Sequence, residues 1–161
     1  MPAFIGNLQR LVLAVAVGLS AAGGLSRRDR AAEPPFKYVG GTTLLAEPCK
    51  GKLELKPAAM VFDCPKGAIT VPYASIRFME YRPDISRKVR KLKPRWKVKP
   101  EVEVPLFGKK QNRYFTVVFD DHGATGALVL AVLPQAMRPY LAEIDLKAGQ
   151  RVEVKGYEDY R

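Results

Sequence analysis

"CKGKLELKPAAMVFDC", residues 49–64, contains two alternating runs separated by a proline. We pair the runs as an antiparallel hairpin in which Cys49 lies opposite Cys64 and Leu53 lies opposite Met60. This register puts both cysteines and the apolar residues on one face, and a shift of one residue would move one run to the other face. The pattern therefore predicts a hairpin with one buried face and one face rich in lysine.

The two cysteines have a chemical consequence. Cysteines that face each other on neighbouring strands come within bridging distance, so we predict a disulfide between Cys49 and Cys64 in an oxidising compartment. In the chain-entropy model such a short loop is worth about 3 kcal/mol. The alternative is two buried free thiols in a cytosolic protein. Two cysteines are too few for a disulfide scaffold or a four-ligand zinc site.

Further short strands follow this hairpin, with turn residues between them. The predicted strands are Ile69–Tyr73, Ile76–Tyr81, Arg113–Asp120, Ala127–Leu133 and a final Arg151–Lys155. The run ALVLAVL at 127–133 is apolar at every position, which indicates a strand covered on both faces.

One helix is predicted near the C-terminus. It opens at Leu133-Pro134 and ends near Gly149. We expect Pro139 in its first turn, where a missing N–H is tolerated. Residues at helical spacing would form its apolar face: Met137, Tyr140, Leu141, Ile144 and Ala148. The predicted fold class is mainly β with one C-terminal helix, as an antiparallel curved sheet or a partly open barrel capped by that helix.

Several short motifs resemble bacterial PH-like domains of the GRAM or bacterial-PH type. They are Gly51–Leu55, Met60–Phe62, Gly67 followed by Ile69–Ile76, Glu80–Arg82 and Tyr114–Asp120. In those domains a strand, then Val-Pro-Tyr or Ile-Pro-Tyr, then Ser-Ile precede the long middle strand. The resemblance covers about residues 51–147 and implies a module that binds lipids or proteins, without catalytic residues. The basic run lies in a middle connection here, whereas phosphoinositide-binding PH domains hold their cations in an early strand loop.

The N-terminus has the pattern of a targeting segment. Leu11–Ala22 is free of charge and has the length of a signal-peptide apolar region, and Ser20-Ala21-Ala22 offers a cleavage site. We therefore predict residues 1–25 as a signal peptide or N-terminal membrane anchor, residues 26–36 as a linker and residues 37–161 as a single domain.

Three arginines directly after the apolar region resist translocation and leave the alternatives open: Arg27, Arg28 and Arg30. The expected location is the periplasm or cell envelope. The alternatives are an uncleaved segment anchored in the inner membrane and a buried N-terminal helix.

Positive charge is concentrated in one region. Residues 85–113 hold eleven basic and two acidic residues, a net charge of +9, within a chain of net charge +11. Local charge of this kind favours an anionic partner. The candidate residues for binding an anionic surface are Arg87, Lys88, Arg90, Lys91, Lys93, Arg95, Trp96, Lys97 and Lys99.

The pattern inside this region also predicts its structure. From Leu92 to Val104, apolar and charged residues alternate, which predicts an extended segment with one charged face. Pro94 and Pro100 cannot donate ladder hydrogen bonds, so we expect an edge strand. Upstream, Ile85, Val89 and Leu92 have helical spacing and predict one short helical turn. Asp84 or Ser86 is available to cap that turn.

The basic region has more than one functional interpretation. In the first interpretation it binds an anionic lipid or envelope polymer. In the second it only protects an edge strand from aggregation, with Trp96 in the core. In the second case the partner is a protein, held at an exposed strand edge or at the strand 127–133. Nucleic acid is disfavoured, because it calls for several exposed aromatic residues between the cations.

Signals of catalysis are weak. The single histidine, His122, follows Asp121 and precedes Gly123 in a predicted turn, and no nucleophile elbow, phosphate loop or dinucleotide motif occurs. Glu101 and Glu103 continue the charged face of the basic region. We therefore expect no enzymatic activity, no cofactor and no metal site. A small hydrolase would require a pocket around His122.

Overall fold

An open, mostly antiparallel sheet of eight strands organises the computed structural model, which describes residues 35–42, 45–102 and 113–155. The strands are β1 (Phe36–Gly41), β2 (Cys49–Leu55), β3 (Ala59–Cys64), β4 (Gly67–Pro72), β5 (Ile76–Arg82), β6 (Arg113–Asp121), β7 (Ala124–Val132) and β8 (Val152–Val154). Their order across the sheet is β4-β3-β2-β1-β7-β6-β5-β8, and the β5–β8 pair is parallel. The helices are α1 (Arg87–Lys91) and α2 (Pro134–Ala148), and a 3-10 turn spans Tyr73–Ser75. The predicted class, mainly β with one C-terminal helix, is confirmed.

The predicted leader, residues 1–25, lies outside the described residues, as does all but the end of the predicted linker. In the described part, no helix has both the length and the apolar character needed to cross a membrane. Strand β1 was not predicted. Its first residue, Phe36, is fully buried, so the folded domain includes a residue that we had assigned to the linker.

The β2–β3 hairpin forms, but its predicted register is wrong by two residues. Leu53 pairs with Phe62 and not with Met60. The predicted register would put residue 56 directly opposite residue 57 and leave none for a turn. Instead the Lys56 N–H donates to the Ala59 carbonyl at 2.9 Å, so residues 57 and 58 form a two-residue turn. A shift of two residues preserves the predicted faces, because side chains alternate with period two.

The disulfide between Cys49 and Cys64 is present, with its Cα atoms 6.2 Å apart. The two residues are diagonal neighbours across the hairpin, since the corrected register brings Gly51 next to Cys64. A side chain at Gly51 would not fit, because its Cβ would lie 2.1 Å from the Asp63 carbonyl oxygen. Cys49 also pairs with Tyr38 of β1 and Cys64 with Gly67 of β4, so the bond ties the middle of this four-stranded region together.

The inner face of the sheet forms the main core with α2. Met137, Leu141 and Ile144 of the helix are fully buried there. Tyr140 meets the Phe36 ring edge-on, with centroids 5.0 Å apart.

The ends of α2 are those predicted. Pro134 occupies the first turn, and Gly149 ends the helix with a φ of 65°, in the left-handed region where glycine is favoured. The prediction for Pro139 is wrong, because it lies inside the helix and not in its first turn. Buried Met137 before it and Leu141 after it hold the helix against the sheet.

The outer face carries a second apolar cluster. Its buried members are Ile85, Val89, Tyr114, Val118, Val129 and Ala131. Within β7, Leu128 and Leu130 face the main core and Val129 faces the second cluster, so the predicted burial of both faces is confirmed. Since β7 pairs with β1 on one side and β6 on the other, the suggestion that this strand takes up a protein partner is wrong.

Candidate functional site: a basic surface

Eight exposed cations cluster on α1 and on the segment that follows it, residues 92–102. We call them the basic surface. Its members are Arg87, Lys88, Arg90, Lys91, Lys93, Arg95, Lys97 and Lys99. The fold thus brings all the cations predicted from the sequence into one region, on the side of the sheet opposite α2.

Helix α1 is the short basic turn predicted from the sequence, and Ser86 is its cap. The Ser86 hydroxyl accepts the Val89 N–H at 3.3 Å. The Ser86 N–H in turn donates to the Glu80 carboxylate at 3.1 Å. Val89 is fully buried in the second apolar cluster. The helix is therefore fixed to the outer face of the sheet through a buried polar contact and an apolar one, while its cations point outward.

The segment 92–102 is irregular, with a turn in which the Trp96 N–H donates to the Pro94 carbonyl at 2.9 Å, and it is neither continuously extended nor the edge strand that we predict. A single isolated bridge, between Val98 and Gly41, joins it to the sheet. Lys93 adopts a left-handed φ of 46°, and Pro94 and Pro100 have no N–H, so a continuous ladder cannot form. Glu103 and Val104, the end of the predicted run, lie outside the described residues.

The predicted two-faced character is nevertheless confirmed from Pro94 to Val102, but it fails at Leu92, which is 38% exposed. Arg95, Lys97 and Lys99 are exposed, whereas Trp96 and Val98 between them are partly buried. The faces are set by packing on the sheet and not by a ladder. Burial therefore alternates along this part of the segment even though the segment does not pair as a strand.

Close backbone approach to β1 holds the segment in place. The N–H groups of Lys97 and Val98 both donate to the Gly41 carbonyl, and the Gly41 N–H donates to the Val98 carbonyl at 3.0 Å. Pro100 lies so close to Gly40 that a Cβ at residue 40 would be 2.8 Å from it. Gly40 and Gly41, at the end of β1, thus form the surface on which the segment 92–102 packs and to which it is hydrogen-bonded.

Trp96 takes an intermediate position between the two predicted roles. Its side chain is partly buried and packs against the second apolar cluster, as Val102 also does. It is neither a core residue nor a free surface aromatic. Part of the indole ring remains available for contact from outside.

Most cations of the basic surface carry charges that no described residue compensates by an ion pair. Lys88 is the exception: it pairs with Glu153 at 2.5 Å and lies over the Phe78 ring, 4.1 Å from its centroid. Among the described residues, the other seven have no ion-pair partner. Clustered charges of one sign create a local positive potential that attracts anions.

A groove beside these cations was missed by the sequence analysis. It has a volume of about 400 Å³ and is lined by Ile85, Arg90, Trp96, Lys99, Pro100 and Val102. The alternating run in the sequence indicates that the segment 92–102 packs on the sheet, because its apolar side chains leave water only by contacting another apolar surface. The sequence does not predict that these side chains surround a groove, because that depends on where the segment 92–102 crosses the sheet.

Three acidic side chains that are not part of the basic surface have shifted pKa values. A hydrogen bond from Arg77 lowers the pKa of Asp120, and one from Lys66 lowers the pKa of Glu47. Burial raises the pKa of the Tyr73 hydroxyl. Each shift has a local structural cause.

His122 occupies the turn between β6 and β7, as predicted. It has a φ of 47°, Gly123 has a φ of 84°, and the imidazole is fully exposed. The Asp121 carboxylate lies 4.0 Å from its ring nitrogen. Across the part of the chain that the structure describes, no group of three histidine, cysteine or acidic residues is placed to hold a metal.

Comparison with known proteins assigns no family to the chain, because no protein-family model and no curated protein matches it. Its function is therefore inferred from the charges, burial and geometry of its own residues.

Proposed function

We propose that the protein is a non-catalytic binding module of the bacterial cell envelope that contacts an anionic surface or lipid through its basic surface. One observation carries the proposal. Seven exposed cations without a described ion-pair partner are held on one side of the fold by a buried framework. A cation near an anionic membrane contributes about 1 kcal/mol, so several acting together suffice for stable but salt-sensitive attachment.

We also propose that the domain is PH-like. The order of the antiparallel strands and the position of α2 against the inner face support this proposal. So does the 3-10 turn at Tyr73–Ser75, which separates β4 from β5 at the Val-Pro-Tyr and Ser-Ile motifs. Strand β8, which pairs in parallel with β5, is an addition that the resemblance does not imply.

Export to the periplasm or cell envelope is part of the proposal. The leader-like residues 1–25 support it, and so does the Cys49–Cys64 disulfide, because such bonds persist mainly in oxidising compartments. Attachment to the inner membrane by an uncleaved leader would bring the basic surface to the same anionic lipids.

The test is co-sedimentation of the full chain with neutral and anionic vesicles across a salt series. One variant reverses three cations of the basic surface, Arg87→Glu, Lys91→Glu and Lys97→Glu. The matched control reverses three exposed cations elsewhere, and these are Lys52, Lys56 and Arg138. Both variants carry the same net charge, so only the location of the charge differs between them.

The proposal predicts binding to anionic vesicles only, with an affinity that falls as salt increases. The basic-surface variant should lose this binding and the control should retain most of it. Equal losses in the two variants would mean that net charge, and not this surface, is responsible. No binding of the wild-type chain at low salt would overturn the proposal.

The alternative function is a protein-interaction or structural module that uses an exposed strand edge. Strand β4 favours it, because β4 lies at one edge of the sheet and has a described partner strand on one side only. A peptide could add to such an edge through backbone hydrogen bonds. Binding of this kind would survive high salt, so the same salt series separates it from attachment through the basic surface.

A further inference from the structure

The groove beside the basic surface combines an apolar wall with a charged rim. Ile85 is 4% exposed, belongs to the second apolar cluster and also lines the groove. The apolar wall of the groove is therefore continuous with that cluster. Trp96 and Val102 are partly buried at its margin. Arg90 and Lys99 are exposed and also line it.

This lining has the composition of a small-molecule site. Such sites are mostly apolar, have volumes of roughly 300–1,000 Å³ and include few polar groups, which orient the ligand. The groove, at about 400 Å³, lies near the small end of that range. Its polar side chains are both cationic, and neither has an ion-pair partner among the described residues.

We propose that the groove binds a single-chain anionic amphiphile, with the alkyl chain against Ile85, Trp96 and Val102 and the head group held by Arg90 and Lys99. The apolar wall selects a chain, the rim selects an anion, and the small volume suits one chain better than two. This inference rests on the proposed function, because Arg90 and Lys99 belong to the basic surface. The proposed function describes attachment to an anionic surface through charge, and the groove proposal adds to it a class of ligand and a defined binding site.

Trp96 makes the proposal directly measurable, since it is the only tryptophan in the chain. The probe is dodecyl phosphate below its critical micelle concentration, titrated into the full chain while Trp96 emission is recorded. Displacement of groove water by the chain should shift the emission to shorter wavelength. Butyl phosphate and inorganic phosphate are the controls for chain length.

The expected result is an affinity that rises with chain length, by about fourfold for each methylene that leaves water completely. Arg90→Glu with Lys99→Glu should weaken dodecyl phosphate binding by about tenfold or more, because two charge-assisted contacts are lost. Arg87→Glu with Lys91→Glu carries the same net charge and does not line the groove, so its effect should be much smaller. Urea unfolding of each variant checks that it is folded.

Three results would overturn the groove proposal: unchanged Trp96 emission, an affinity independent of chain length, or equal losses in the two double variants. The vesicle experiment then shows whether the proposed function fails with it. Vesicle binding that persists without a dodecyl phosphate response would leave surface attachment standing and remove the groove. Loss of both would remove both.

Discussion

The Ser86 N–H donates a hydrogen bond of 3.1 Å to the carboxylate of Glu80, and this contact joins the start of α1 to β5 in the interior of the protein. Glu80 is only 1% exposed. The buried Glu80 side chain thus accepts a hydrogen bond from a backbone N–H directly beneath the helix that carries part of the basic surface. The hydroxyl of the same Ser86 caps α1, so one residue connects the sheet to the helix that displays the cations.

Replacing Glu80 should therefore destabilise the fold. In Glu80→Ala the buried Ser86 N–H loses its acceptor, at a cost of about 1–3 kcal/mol in the free energy of unfolding. Glu80→Gln keeps an oxygen acceptor at the same position and should lose less. Urea unfolding measures both. Equal stability of Glu80→Ala and the wild type would show that the contact has no energetic role.

A second prediction concerns Gly51, which lies beside the disulfide. A methyl group there would meet the Asp63 carbonyl oxygen at 2.1 Å and the Phe62 ring at 2.8 Å. Gly51→Ala should force β2 and β3 apart and lower the free energy of unfolding by about 1–3 kcal/mol. The control is Lys52→Ala on the exposed face, for which we expect a change within about 0.5 kcal/mol. Similar values for the two variants would contradict the close approach of the strands.

These residues also show what the sequence could predict. The faces of β2 and β3 followed from alternation, but their register depended on the turn, and the sequence pairing left no residues to make one. Strand β7 was predicted only from Ala127, because every position of 127–133 is apolar, whereas its first three residues, Ala124–Gly126, carry no such pattern. Strand β1 was missed because only Phe36 and Tyr38 alternate before the Gly40-Gly41 pair ends the pattern.

The candidate site was predicted in part for a similar reason. Charge and alternation located its cations and the two faces of the segment 92–102. They could not predict that Lys93 takes a left-handed φ of 46° or that Val98 pairs with Gly41. Such contacts join residues far apart in the chain, and the groove depends on them.

The disulfide provides a third prediction. The bond closes a short loop, with its cysteines 15 residues apart in sequence, and should contribute about 3 kcal/mol to the free energy of unfolding. Cys49→Ser with Cys64→Ser, or reduction of the wild type by dithiothreitol, should remove that contribution. The double variant should not respond to dithiothreitol. An equally unresponsive wild type would show that the bond is not formed or does not stabilise the fold.

The last prediction concerns the turn between β6 and β7. His122 and Gly123 both have positive φ, at 47° and 84°, which is the geometry of a two-residue turn in which Asn-Gly is the favoured pair. His122→Asn should therefore raise the free energy of unfolding by a few tenths of a kcal/mol, and His122→Ala should not, because alanine gains nothing in the left-handed region. Since the imidazole is fully exposed and remote in sequence from the basic surface, neither variant should change binding to anionic vesicles. Lost vesicle binding in a stably folded His122→Asn variant would instead give this histidine a functional role that its position in the turn does not explain.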